Sequence, residues 1–174
     1  MKTELQRFYE IIDDSKLAMM TTRRPDGHLR SRPMANQKAS DGADLWFVTM
    51  DGTAKISDLR HDPHVHLSYF QNGYDWVSAS GIAEVSLNRE KIHELYATDW
   101  KAWFPKSGDP RDGTPDDPRI VLIGVTIHAA EFFERTASRP VVLYEVVKGW
   151  LTGETPEIGS TLSLDDPHRP LQER

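Results

Sequence analysis

No cysteine occurs in the 174-residue chain. That excludes a disulfide framework, a thiolate metal site and a cysteine nucleophile together. Long apolar runs are lacking too. None approaches the roughly 20 residues that span a bilayer, and M-K-T-E-L-Q-R-F-Y-E has no apolar centre of a secretory signal. A soluble, cytoplasmic protein with no membrane partner is therefore expected. There is no basic surplus: 21 Lys and Arg face 27 Asp and Glu, for a net charge of −6. This argues against nucleic acid as a partner. Neither G-x-G-x-x-G nor G-x-x-x-x-G-K-S/T is present, and no repeat or low-complexity tract appears.

What is present is a succession of short extended runs. Leu5, Phe8, Ile11 and Ile12 recur at helical spacing over 3–14 and predict a short amphipathic helix. K-L-A-M-M-T-T at 16–22 and H-L-R-S-R-P-M-A-N-Q at 28–37 flank R-P-D-G, the pattern of a β-hairpin. L-W-F-V-T at 45–49 is a third strand, and Thr53 can cap a helix through K-I-S-D-L-R. V-H-L-S-Y-F at 65–70 and W-V-S-A-S-G-I-A-E-V-S-L at 76–87 alternate as strands, with Gly73 as the turn between them. Asn88 opens a further helix, and 105–118 is a loop dense in Pro, Gly and Asp. The run at 119–134 is the most β-prone of all. From 139 onwards either helix or strand is consistent, and the last fifteen residues read as loosely held. The expectation is a mainly β (α+β) single domain over 1–160, a six-stranded antiparallel barrel with short flanking helices, and a loose tail over 161–174.

Arg30 and Arg32 lie two apart on one strand and so share a face. T-A-K at 53–55 opens a helix directly after the third strand, where free backbone N–H groups and the positive helix end favour a phosphate. Lys55 adds a point charge, Thr53 a hydroxyl, and an arginine fork grips two oxygens at once. The plainer reading is a solvated arginine pair beside an ordinary N-cap.

Taken in order, R-S-R-P-M at 30–34, L-W-F-V-T at 45–49, T-A-K-I-S-D-L at 53–59 and H-D-P-H-V-H-L-S-Y at 61–69 resemble the general stress protein 26 family. W-V-S-A-S-G-I-A-E-V, W-F-P with its downstream D-D-P, and L-T-G-E-T-P extend the resemblance to about residue 160. That family is a branch of the FMN-binding split barrels related to pyridoxamine-phosphate oxidase. The resemblance implies a homodimer with FMN in the cleft between subunits, FAD being the alternative cofactor. By position it assigns the phosphate to Arg32 and Lys55, helped by Thr53 and Arg30. Ser31, Pro33 and the backbone of Val48 and Thr49 would line the ring and ribityl chain. Trp76 falls where the oxidases place a polar flavin contact. Trp100, Trp103 and Phe104 read as core or interface anchors, the alternative being that Trp103 reaches across the dimer to cover the ring. Ala54 stands where many oxidases carry a basic residue.

The oxidases' C-terminal arginine and histidine have no match in D-D-P-H-R-P-L-Q-E-R, so vitamin B6 oxidation is not expected. A flavin-dependent reductase, a flavin carrier or a stress-related binding protein fits better. The alternatives are a haem-binding split barrel using His66 or His28, and a barrel without cofactor serving as an interaction module. His61, His64 and His66 straddle a helix-breaking Asp-Pro, and no metal site is expected of them.

Overall fold

The computed structural model describes residues 2–71, 75–135 and 138–165; Gly73, expected as a turn residue, lies outside them. Chain order opens with α1 (Glu4–Ser15), closed at its start by a capping box between Thr3 and Gln6. Its Phe8, Ile11 and Ile12 are buried. Then β1 (Leu17–Arg23) and β2 (Leu29–Ala35) form the expected hairpin. At its tip the Gly27 φ of 85° supplies a left-handed residue that a side chain would strain. β3 (Leu45–Met50), α2 (Ala54–His61), β4 (His64–Phe70) and β5 (Trp76–Ser86) follow. Next come α3 (Arg89–Leu95), a 3-10 turn at Thr98–Trp103, and β6 (Ile120–Arg135). α4 (Arg139–Thr152) and β7 (Gly159–Asp165) complete the described chain.

All ladders are antiparallel, in the order β2-β1-β4-β5-β6-β3, with β7 added to the far half of β6. The sheet curls so that β2 and β3, its two ends, approach each other without forming a ladder. That is the split of the barrel. Inside, Phe8, Met20, Phe47, Leu67, Tyr69 and Phe132 are enclosed almost completely. Full burial of an aliphatic or phenyl side chain contributes about 1.5–3 kcal/mol each. A second, smaller core of Trp46, Ile92, Leu95, Trp100, Phe104, Ile120 and Leu122 sits under α3 and the 105–118 loop.

Two features depart from expectation. The barrel has seven strands and not six, because Gly159–Asp165 pairs with Ala129–Arg135 where a loose tail was expected from 161. Leu162 and Leu164 alternate toward the core, and the strand covers the edge that the long β6 would otherwise leave open. The loop at 105–118 is also less solvated than its composition suggests. Asp117 is buried, accepting from the Arg119 guanidinium and the Gly113 and Arg119 amides. That pairing, the Arg119 bonds first, holds its carboxyl well below the usual carboxylate range.

Candidate functional site

The split in the barrel is where charge accumulates. Along β2, Arg30 and Arg32 pair with Thr22 and Met20 of β1, so both side chains leave on the barrel side of the strand. α2 enters the same space from the end of β3. Its Asp58, 3% exposed, accepts from Thr22 Oγ1 (2.9 Å) and from Arg32 Nη2 (3.3 Å). Arg32 Nη1 donates to Thr22 Oγ1 at 2.7 Å, and Arg30 Nη1 stands 3.8 Å from Asp58. Lys55, half-buried, donates to the Thr49 hydroxyl at 2.7 Å. No carboxylate pairs with it among the described residues. Burial, and then the nearby Arg32 charge, push the Lys55 ammonium below its ordinary value of 10.5. Burial likewise lowers Arg32, opposed by Asp58.

Two arginines thus share the carboxylate of Asp58 in a partly desolvated recess, and Lys55, near enough to feel the Arg32 charge, adds a third cation without one of its own. Excess charge of one sign there is unfavourable unless an anion joins it. The recess also receives the start of α2, whose first amides have no intrahelical acceptor. Thr53 does not cap them: its hydroxyl donates instead to the Met50 carbonyl at 3.1 Å. The Ile56 and Ser57 amides donate to the Thr53 carbonyl, which leaves those of Ala54 and Lys55 for a ligand oxygen. These residues fit a phosphate-bearing group.

Arg30, Arg32, Thr49, Thr53 and Lys55 are therefore brought together. Ser31 and Pro33 leave β2 on the opposite, outward face, where the Ser31 and Thr21 hydroxyls bond at 2.6 Å. The Val48 side chain packs against the smaller core. Trp76 opens β5 between Phe70 and Phe133, at the far end of the outward face. Trp103 is 79% exposed at the end of the 3-10 turn, whereas its neighbours Trp100 and Phe104 are core residues. Thr22 and Asp58 escaped the sequence reading. Two arginines on one face are a signal that a buried carboxylate is needed, but the sequence does not say which one answers it.

Of the histidines, His66 has both ring nitrogens engaged, with Ser78 (2.9 Å) and Ser68 (3.3 Å). His28 is exposed at the hairpin beside Asp26. No group of three or more His, Asp or Glu side chains suited to a metal occurs among the described residues. No helix among them is long and apolar enough to cross a membrane. The 166–174 part of the tail compared with the oxidases lies outside the described residues.

Comparison with known proteins gives the same architecture. The family model described as pyridoxamine 5'-phosphate oxidase like matches residues 3–157. Protein bli-3 of Neurospora crassa is 33% identical over 156 residues, covering 87% of this chain and 75% of that protein. A Jannaschia sp. CCS1 structure described as general stress protein 26 superimposes with a TM-score of 0.69 at 24% identity, over 92% of this chain and 97% of that one. A pyridoxamine 5'-phosphate oxidase-related, FMN-binding protein of Nostoc punctiforme PCC 73102 gives 0.59 at 13% identity, over 95% and 98%.

Proposed function

The chain belongs to the pyridoxamine 5'-phosphate oxidase-like family, and from that premise we propose that it binds FMN through the recess at the split of its barrel. The observation that carries this reading is the gathering of three cations, Arg30 and Arg32 beside the carboxylate of Asp58 and Lys55 on the Thr49 hydroxyl within reach of the Arg32 charge. In it Lys55 and the arginine forks hold the phosphate, and the first amides of α2 complete the oxygen contacts. Asp58 orients Arg32 and sets the charge of the recess so that one phosphate brings it near balance. The ribityl chain and ring would pass out of the recess along the free edges of β2 and β3, meeting the backbone of Ser31 and Pro33 and not their outward side chains.

FMN, when bound, supplies the redox reactivity; the chain supplies position, dielectric and access. A recess built to anchor a phosphate in this way suits a flavin-dependent reductase or a flavin carrier. The outward face of β1, β2 and β4 exposes Leu17, Met19, Leu29 and Phe70. We place a second copy of the chain there, with the flavin between the two subunits. Trp103 would come to the ring from that second copy.

Titration of flavin-stripped protein with FMN, FAD and riboflavin, followed by flavin fluorescence, tests the reading. Saturable quenching by FMN and much weaker quenching by riboflavin is expected. Lys55→Ala with Arg32→Ala should weaken FMN at least 100-fold, since each charge-assisted contact contributes about 1.5–3 kcal/mol, and leave riboflavin unchanged. Equal affinity for FMN and riboflavin would exclude a phosphate-anchored site.

A further inference from the structure

The outward face of the barrel carries a second constellation that phosphate binding does not use. Strand register places Ser31, Thr21, His66 and Ser80 in one row across β2, β1, β4 and β5. The row ends at an irregularity in β6: Ser80 faces Ala129 while Gly81 faces Ile127, so His128 is the extra residue of a β-bulge. Gly81 is what lets the two strands close on each other there, because a Cβ at that position would collide with the Thr126 carbonyl oxygen. Bulge and glycine together turn the His128 imidazole out of the ladder. It has no hydrogen-bond partner among the described residues.

His128 borders a cleft of about 940 Å³ whose walls include Arg23, Leu29, His64, Ser80 and Ile82. Several polar groups of this cleft already have partners. His64 Nδ1 is 2.7 Å from Asp62, His66 is bonded to Ser78, and Thr21 to Ser31. Asp62 is the only carboxylate on the lining, and it also accepts from the His64 amide. What remains for a ligand is the Arg23 guanidinium, the His128 ring and the Ser80 hydroxyl, set around the apolar side chains of Leu29 and Ile82. A concave, largely apolar surface with a few convergent unpaired donors is the usual form of a small-molecule site.

We infer that this cleft binds a small planar organic acid, its carboxylate facing Arg23 and His128 and its flat body lying against Leu29 and Ile82. Thr22, whose hydroxyl meets Arg32 and Asp58 in the cation recess, also borders this cleft, so the two adjoin across β1 and a molecule held in the cleft would lie near a flavin anchored in the recess. The inference rests on the FMN reading for that neighbourhood; the binding of the acid itself does not require flavin.

Benzoate is the probe, with benzamide as its uncharged counterpart, added to full-length flavin-stripped protein at constant ionic strength. Histidine ring resonances are followed by NMR, and the titration is repeated with FMN present. Benzoate should shift the His128 ring saturably, bind at least tenfold more tightly than benzamide, and lose at least tenfold in affinity in His128→Ala and in Arg23→Ala. His128→Ala should titrate with FMN as the parent does. Three results overturn the inference: no shift of the His128 ring, unchanged benzoate affinity in both variants, or competition between benzoate and FMN. The last would make the cleft part of the flavin's own site. If FMN fails to bind while benzoate still shifts His128, the flavin reading falls and the acid site stands.

Discussion

A lysine inside a protein, half removed from water and next to an arginine, is held at a cost, and Lys55 shows how that cost becomes a property one can measure. Its ammonium is pushed below 10.5 by burial and by Arg32. A base whose folded value is depressed loses stability while it is charged. The loss is present below its folded value and is relieved as pH rises from there toward 10.5. A bound phosphate reverses the preference, because it favours the charged form. FMN affinity should therefore fall as pH rises through the Lys55 value of the free protein, which lies below 10.5, with protons taken up on binding. Isothermal titration in two buffers of different ionisation enthalpy measures that uptake. Riboflavin, which lacks the phosphate, supplies the control for ionisation of the ring. Lys55→Arg should keep the phosphate contact and flatten the profile, since guanidinium stays protonated throughout. An unchanged slope in Lys55→Arg would show that another group is responsible.

At the scale of elements, the bulge between β5 and β6 is the device that matters most for the outward face. Gly81 stands in a strand that otherwise alternates, W-V-S-A-S-G-I-A-E-V-S, and the sequence reading treated that run as uninterrupted. A glycine within a strand pattern is a bulge signal, but the residue it displaces lies on another strand 47 positions later, and only the register identifies it as His128. Gly81→Ala should destabilise the protein by about 1–3 kcal/mol, the usual range for overpacking, read from the urea midpoint. The same variant should lose benzoate binding more than FMN binding, because the clash falls on the bulge and not on α2. α4 teaches a related lesson. Four valines make 139–152 ambiguous between helix and strand, yet Pro140 in its first turn and Gly153 just past its end, at φ 76°, are the start and stop signals of a helix. β7 was legible as well, in the alternation of Leu162 and Leu164, but its short length and polar flanks concealed it.

Across the whole molecule, the described residues expose large apolar side chains in two places. α4 exposes Leu143, Tyr144, Leu151 and, at 84%, Trp150, while Leu17, Met19, Leu29 and Phe70 are open on the barrel's outward face. Contiguous exposed apolar side chains of this kind mark interaction surfaces. Light scattering on a size-exclusion column should accordingly give twice the 19.8 kDa of the chain. Met19→Lys with Phe70→Lys should move the protein toward the monomer and weaken FMN in parallel, because half of the proposed ring environment comes from the second copy. A parent mass of one chain at micromolar concentration would remove the dimer from the proposal.

Much of this protein is local in origin. Alternation along 17–23, 29–35, 64–70 and 76–86, the R-P-D-G turn, the caps at Thr3 and Asn88 and the arginine pair at 30 and 32 are all readable from neighbours in the chain. They establish a barrel of antiparallel strands and a basic face near the start of α2. What the tertiary structure alone decided is which groups meet across long separations. Asp58 neutralises arginines more than twenty positions away, and His128 turns toward a row begun at Ser31. The physical reason is that periodicity reports which face a residue occupies, whereas charge pairing, desolvation and strand register depend on what the folded sheet brings opposite that face.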